Sequence, residues 1–391
     1  MADQLAYVLI NPYTITKSRT GGVLARLMTR TALEIVTARM FAPSRQLAEE
    51  YAQISISGKD PQDRQIQELI RQYILDHYSP DPKTGQRKRV MMLVFKGDNA
   101  VKRVRDAVGS FTRAASGGES VRDTYGDYIV GPNGEVKYFE PAVLAAPTPE
   151  EAETKLKLWA RYSDKDGGML EGVVPHAPGT KIEKTLVLIK PDNFQFPSGR
   201  PGNIMDVFSR TGLYIIAVKV HQMSVAQAEE FYGPVREVLR TKLTDMVGAK
   251  ARAALEEKLN LKLSTETEKP LGQLIGPYFG DNQFENIVKF MTGVAPSECD
   301  PKKKAESGTA KCLALVYEGP DAVKKIREVL GPTDPRKAPP GSIRREFGQD
   351  IMVNAAHASD SADNAKREIG IVNVAENNLK KVVESFYGSL K

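Results

Sequence analysis

The stretch 90-VMMLVFKGDNAVKRVRDAVG-109 returns later in the chain as 312-CLALVYEGPDAVKKIREVLG-331. Each begins as an apolar run of the length of a buried strand and continues as an amphipathic helix ending at glycine. Near-identical order over so long a stretch points to an internal duplication.

Working outward, the match extends in both directions. Upstream, 5-LAYVLINPY-13 lies over 184-KTLVLIKPD-192, two strands ended by proline, with Asn-Pro in the first replaced by Lys-Pro in the second. Residues 22–40 and 202–220 share the order glycine, helix, strand, and 44-SRQLAEEYA-52 recurs as 224-SVAQAEEFYG-233. Downstream, Gly109 to Arg122 and Gly331 to Arg344 run without a gap into VRDTYGDYI and IRREFGQDI. Each copy reads strand–helix–strand, helix, strand–helix, strand, helix. The expected architecture is α/β (α+β), two tandem ferredoxin-like β-α-β-β-α-β sandwich domains with antiparallel sheets.

The expected boundaries are residues 1–163 for the first domain, 164–183 for a linker rich in glycine, proline and charge, and 184–391 for the second domain. The first copy carries a polar segment with a helix at about 61–78 and a turn-rich basic stretch, 79-SPDPKTGQRKR-89. It closes on a helix in 147-PTPEEAETKLKLWARY-162. The second copy has insertions at about 234–283 and 294–310. One charged helix is expected over 235–260, followed by a polar loop, and 294–310 is expected to be mobile, with Lys302–Lys304 solvated.

Composition narrows the class. Lys and Arg number 55 against 49 Asp and Glu, a net charge of +6 that suits anionic small molecules and argues against a nucleic-acid partner. Cys299 and Cys312 lack metal-ligand spacing, so no protein metal site is expected; a reducing compartment is the simplest setting, with a disulfide between them left open. The N-terminal MADQLAYVLINPY lacks a basic region and a long apolar one, and no apolar run is long enough to span a membrane. A cytoplasmic protein is expected.

The chemistry gathers near the end, in 341-GSIRREFGQDIMVNAAHASDSADNAKREI-369. His357 stands between Ala356 and Ala358, which leaves room for a large anion. Ser359, Asp360 and Ser361 are helix-capping residues ahead of a helix starting near Ala362, and a helix N-terminus favours phosphate. Two readings stand: a loop histidine before a capped helix, or a nucleophile that accepts a phosphoryl group.

In the second copy TLVLIKPD (185–192), the EEFY tyrosine, AVKKIREVLGPTDP (322–335), APPGSIRREFG (338–348) and NAAHASDS (354–361) follow one another. In this order they resemble the nucleoside diphosphate kinase family, over nearly the whole chain taken as two copies. The resemblance implies transfer of the γ-phosphate of a nucleoside triphosphate to His357 and then to a nucleoside diphosphate, with Mg²⁺ arriving on the nucleotide. It further implies that Lys190 and Tyr232 flank the histidine and that Ser359 and Glu368 support it. Arg327, Thr333 and Arg344 would hold the phosphates, Asn354 the ribose and phosphate side, and Phe284 with Val288 would sandwich the base. It implies assembly as a homo-oligomer or an intrachain pseudo-dimer.

The chemistry needs such a set independently. A neutral imidazole is nucleophilic near neutral pH, and phosphoryl transfer is chiefly positioning and charge stabilisation. Arginine forks suit phosphate oxygens, lysine serves as a point charge, and a carboxylate such as Glu368 can orient the imidazole. For Arg327 a structural ion pair is the rival reading.

The chain departs from the family pattern at Ala358, where glycine is usual, and at Asp281-Asn282-Gln283, where a basic residue is usual. The first copy departs further. Asn11 stands in the lysine position and Tyr13 in that of the acid, while Arg105, Arg122 and Tyr51 persist. Opposite His357 falls Glu135 by gapless extension from Arg122, or Leu144 by alignment from the terminal helix. The first copy therefore reads as a degenerate pseudo-domain. Ala358 and the insertions motivate a second hypothesis, a nucleotide-binding regulatory or scaffold protein with little turnover.

Overall fold

The computed structural model describes residues 3–58, 60, 62–111 and 118–390. The gapless match across 109–122, the N-terminal stretch from residue 1 and the helix expected from 61 each touch residues outside this set. Two compact units divide the chain: Met1–Val220 with Leu313–Lys391, and His221–Cys312.

The first unit holds two four-stranded sheets. One contains β1 (Asp3–Ile10), β2 (Glu34–Phe41) and β3 (Val90–Asp98); a separate hairpin of β4 (Asp127–Val130) and β5 (Val136–Glu140) leads into its last strand, β6 (Val143–Ala145). The other contains β7 (Glu183–Ile189), β8 (Tyr214–His221), β9 (Cys312–Gly319) and β10 (Ala356–Ala358). The orders are β2-β3-β1-β6 and β10-β7-β9-β8, so in each copy the fourth strand lies beside the first, then the third, then the second. That is the ferredoxin-like order. The pairings β1–β3, β1–β6, β2–β3, β7–β9 and β7–β10 are all antiparallel.

The central strands read as unbroken apolar runs because both faces are covered. Leu5 to Ile10 and Val90 to Phe95 are all buried, and so is the whole of β9. Helices Thr20–Thr31 and Ala100–Val108 serve the first copy, Arg200–Ser209 and Ala322–Leu330 the second. Serines cap the matched helices: Ser44 accepts from Leu47 N and Ser224 from Gln227 N.

The two copies pack on each other through helices Thr20–Thr31 and Arg200–Ser209. Glycine permits the approach: a Cβ on Gly202 would stand 2.2 Å from Ala25 N, and one on Gly21 2.5 Å from Gly202 O. Arg39 ties the copies together, donating to Ser163 O of its own copy at 3.1 Å and to Glu376 O of the other at 2.9 Å. The last helix, Asn378–Tyr387, lies on β2 of the first copy.

Several expectations change. The helix expected to end the first copy continues to Asp166, and the first half of the segment read as a linker is packed: Gly168 N donates to Met40 O, Leu170 N to Ile216 O, and Leu170 and Val173 are buried, while 177–181 are exposed. No disulfide joins the cysteines.

The second unit is helical. The single helix expected over 235–260 is two, Val225–Lys242 and Thr244–Leu259. The expected polar loop shrinks, because the helix Glu268–Thr292 already begins within it. Residues 294–310 are tied down: Ala226 N donates to Lys304 O at 2.8 Å, and Lys304 pairs with Glu229 at 2.9 Å.

Candidate functional site

His357 lies in a strand, not a loop. β10 pairs its three residues with β7, setting His357 opposite Leu188. Ala355, just before it, adopts φ +70°, and its carbonyl accepts from Lys190 N at 2.9 Å and from Asn193 Nδ2 at 2.8 Å. This turn sets the end of β7, with Lys190, beside Asn354 and His357.

Ser361 then caps the helix Ala362–Val372, and that helix carries Glu368 back to the histidine. Glu368 Oε2 lies 2.9 Å from His357 Nε2 and accepts from Ser359 Oγ at 2.6 Å. A carboxylate at Nε2 holds a proton there and directs the lone pair to Nδ1. Such a histidine can attack phosphorus and spread the developing positive charge onto a buried carboxylate.

Lys190 is buried, and its Nζ donates to Asn354 Oδ1 at 2.7 Å and Met352 O at 3.2 Å. Burial, aided by the like charge of Arg344, pushes its ammonium down to about 8, against the pull of Asp192 and Asp350. Asn354 Nδ2 donates to Ile351 O at 2.7 Å and Thr333 O at 3.4 Å, so its amide joins Lys190 to the loop of Thr333. Thr333 itself is exposed. Arg344 donates to Gly331 O at 3.0 Å and Ala356 O at 3.2 Å, bracing the strand that bears the histidine. Arg327 stands on the exposed face of a helix that packs against β10. It borders an open depression of about 570 Å³ with Asp321, Lys324, Glu328 and Asp360.

The first unit thus gathers His357, Glu368, Ser359, Lys190, Asn354, Arg344 and the loop of Thr333. Tyr232, Phe284 and Val288 belong to the second unit and are buried there. The two side chains expected to sandwich the base are covered: Val288 is 0% exposed, Phe284 5%, and the guanidinium of Arg236 lies 5.3 Å from the Phe284 ring centre.

The first copy settles its own alignment. Leu144 pairs with Leu9 of β1 as His357 pairs with Leu188 of β7, so Leu144, not Glu135, stands in the histidine's place. The backbone devices repeat. Ala142 has φ +59°, its carbonyl accepts from Asn11 N, and Arg122 donates to Gly109 O and Val143 O. By the same count Lys155 replaces Glu368, in a buried pair with Glu151 at 2.9 Å. Phe111 replaces Thr333, its ring centre 3.4 Å from the Arg122 guanidinium. Counting from Ser44 and Ser224, Tyr51 falls opposite Phe231, so the tyrosine read as persisting is not the counterpart of Tyr232.

The rest of the first copy's site is filled. Glu140 accepts from Tyr73 Oη at 2.8 Å and Ala142 N at 3.0 Å, and Tyr78 Oη donates to Asn11 Oδ1 at 2.6 Å. Burial raises the Glu140 carboxyl, against these hydrogen bonds. The space left beside Phe111, Arg122, Phe139 and Glu140 is about 10 Å³, too small for a phosphate.

Asp192 and Asn193 escaped the sequence reading as site residues. The signal for Asp192 was present, since its counterpart is Tyr13.

The family model described as nucleoside diphosphate kinase matches residues 183–247 and 300–377. Relatives include a nucleoside diphosphate kinase of Anaeromyxobacter sp. (strain K), 34% identical over 188 residues, covering 48% of this chain and 86% of the relative. One from Pyrobaculum aerophilum is 29% identical over 198 residues, covering 48% of this chain and 93% of the relative. A crystal structure of an NDP kinase from Pyrobaculum aerophilum aligns over 50% of this chain and all of its own, with 28% identity and a TM-score of 0.33.

Proposed function

The chain belongs to the nucleoside diphosphate kinase family, and from that premise we propose that its second copy, residues 184–391, transfers phosphate through a phosphohistidine at His357. The observation that carries the reading is the hydrogen-bonded chain Ser359–Glu368–His357.

Nδ1 of His357 attacks the γ-phosphorus of a nucleoside triphosphate, carried in as its Mg²⁺ complex. The bond to the bridging oxygen breaks and the nucleoside diphosphate leaves with that electron pair. A second nucleoside diphosphate then attacks the phosphohistidine through its terminal oxygen, and Nδ1 recovers its lone pair. Glu368 keeps the Nε2 proton in both halves, so no external base is needed at the histidine. Lys190 and Arg327 supply positive charge to the phosphates, with the Thr333 hydroxyl beside them. Asn354 positions the Lys190 ammonium and reaches toward the sugar. Arg344 holds the histidine strand while adding charge. Tyr232 belongs to the same set by resemblance.

Residues 1–163 form a pseudo-domain whose phosphate subsite is closed, and they serve the second copy as a packing partner within the chain. Among the described residues no helix is long and apolar enough to cross a membrane.

Transfer from ATP to labelled GDP tests the reading. Parallel initial-velocity lines, the mark of a covalent intermediate, are expected. Nucleotide binding without transfer would leave the regulatory or scaffold reading instead.

A further inference from the structure

Two hydroxyls are buried in the second copy's sheet without a hydrogen-bond partner among the described residues: Thr185 Oγ1 and Tyr317 Oη. The two residues stand opposite each other on β7 and β9, so they share one face of the sheet. In the first copy the same register pair is Ala6 and Phe95. The scaffold therefore forms without either hydroxyl, and a buried hydroxyl left unpaired is costly.

Tyr317 also lines a cavity of about 260 Å³ to which both copies contribute. Ile15 comes from the first copy, and Met205, Leu213 and Ile215 from the second. Ile15, Met205 and Tyr317 are buried, while Tyr214 at the rim is exposed. The helices Thr20–Thr31 and Arg200–Ser209, whose contact joins the copies, border it through Gly21 and Met205.

Arg89 stands in the same lining. Its guanidinium donates to Ile215 O at 2.7 Å and lies 5.1 Å from the Tyr214 ring centre. Among the described residues no carboxylate pairs with it; Glu318, whose charge bears on it, lies 3.0 Å from His176 Nε2 instead. The cavity thus offers a cation with donors to spare, an apolar wall and an unpartnered tyrosine hydroxyl.

We propose that this cavity between the copies binds a small organic monocarboxylate, with its carboxylate on the Arg89 guanidinium, its apolar body against Ile15, Met205 and Leu213, and a second polar group on the Tyr317 hydroxyl. A planar fork suits a carboxylate, and a single cation in the lining matches one negative charge better than the two of a phosphate monoester. The volume lies just below the usual range of ligand pockets, which selects a compact molecule. An occupant held by walls from both copies binds the folded chain alone, so it also stabilises their packing. None of these residues belongs to the His357 site, and the proposal stands apart from the phosphotransfer reading.

The test is calorimetric titration of the full chain with para-hydroxybenzoate, with benzoate, which lacks the hydroxyl, and with para-hydroxybenzamide, which lacks the charge. Para-hydroxybenzoate is expected to bind tightest. Tyr317→Phe, which restores the first copy's residue, weakens it about fivefold and leaves benzoate unchanged. Without ligand that variant melts no lower than wild type, because the hydroxyl it loses has no partner in the chain. Arg89→Gln weakens both acids about tenfold or more and leaves the amide unchanged. Ser209→Trp, which narrows the cavity from its half-buried edge, abolishes binding of all three and serves if the Arg89 variant fails to fold. A wild type that binds none of the three overturns the proposal, and so does para-hydroxybenzoate binding equally well to either Tyr317→Phe or Arg89→Gln.

Discussion

Leu144 and His357 occupy the same place in two copies of one scaffold. Around them the copies divide their residues into two groups. One group is shared: Arg122 and Arg344 brace the same two carbonyl positions, Ala142 and Ala355 take the same left-handed turn, and Thr14 and Asn193 both donate to that turn's carbonyl. The other group is exchanged: Lys190 for Asn11, Asp192 for Tyr13, Thr333 for Phe111, Glu368 for Lys155 and His357 for Leu144. What persists without chemistry belongs to the fold, and on the proposed phosphotransfer reading what is lost together belongs to the reaction.

The largest effect is expected where the second copy is made to resemble the first. Glu368→Lys installs the charge of Lys155 against His357. It removes the proton-holding carboxylate and sets a like charge on the developing imidazolium. Turnover in the ATP-to-GDP assay is expected to fall at least about a hundredfold, the upper range for losing a ligand-orienting partner. A loss under threefold would mean that Glu368 supports folding and not the histidine.

A smaller effect separates bracing from phosphate binding. If the comparison is right, Arg122→Ala and Arg344→Ala lose the same two backbone hydrogen bonds. Each is expected to destabilise the chain by about 1–3 kcal/mol, read by urea denaturation. Arg122 is the more deeply buried, and desolvation with the nearby charge of Arg105 pushes its guanidinium down to about 9. Phe111 over that guanidinium makes the first copy's loss the larger. Only Arg344→Ala is expected to lower turnover. A stable Arg344→Ala protein would separate the two arginines and break the analogy.

Much of the fold was legible because both sheets are built on strands buried on two faces. β1, β3, β7 and β9 are nearly continuous apolar runs, and Ser44, Ser224 and Ser361 announce their helices. β10 was not legible. Ala-His-Ala has little strand propensity, and its extended form comes from pairing with β7, far away in sequence. The β4–β5 hairpin was missed although Gly131-Pro132-Asn133-Gly134 is a turn signal, because the second copy offers no matching pair of strands. The break at Leu243 leaves no glycine or proline to read; the proline that is there, Pro234, lies inside an unbroken helix.

The site followed the same division. Asn354 and Ser359 were assigned to the site through the family resemblance, and His357 stood out from its small neighbours. Phe284 and Val288 were assigned in the same way, and their burial was not legible, because which face of the helix Glu268–Thr292 is covered depends on what packs against it. Asp192 shows a third case. Its replacement by Tyr13 in the first copy was visible, but its burial 3.6 Å from the Arg200 guanidinium was not.

The central claim is that one copy reacts and the other only supports it. The direct measurement is to incubate the full chain with γ-labelled ATP and Mg²⁺, digest it under alkaline conditions and map the label. The account predicts one acid-labile phosphate, on His357, absent from the His357→Leu variant that carries the first copy's residue. Label that survives in that variant, or that maps within residues 1–163, would contradict it.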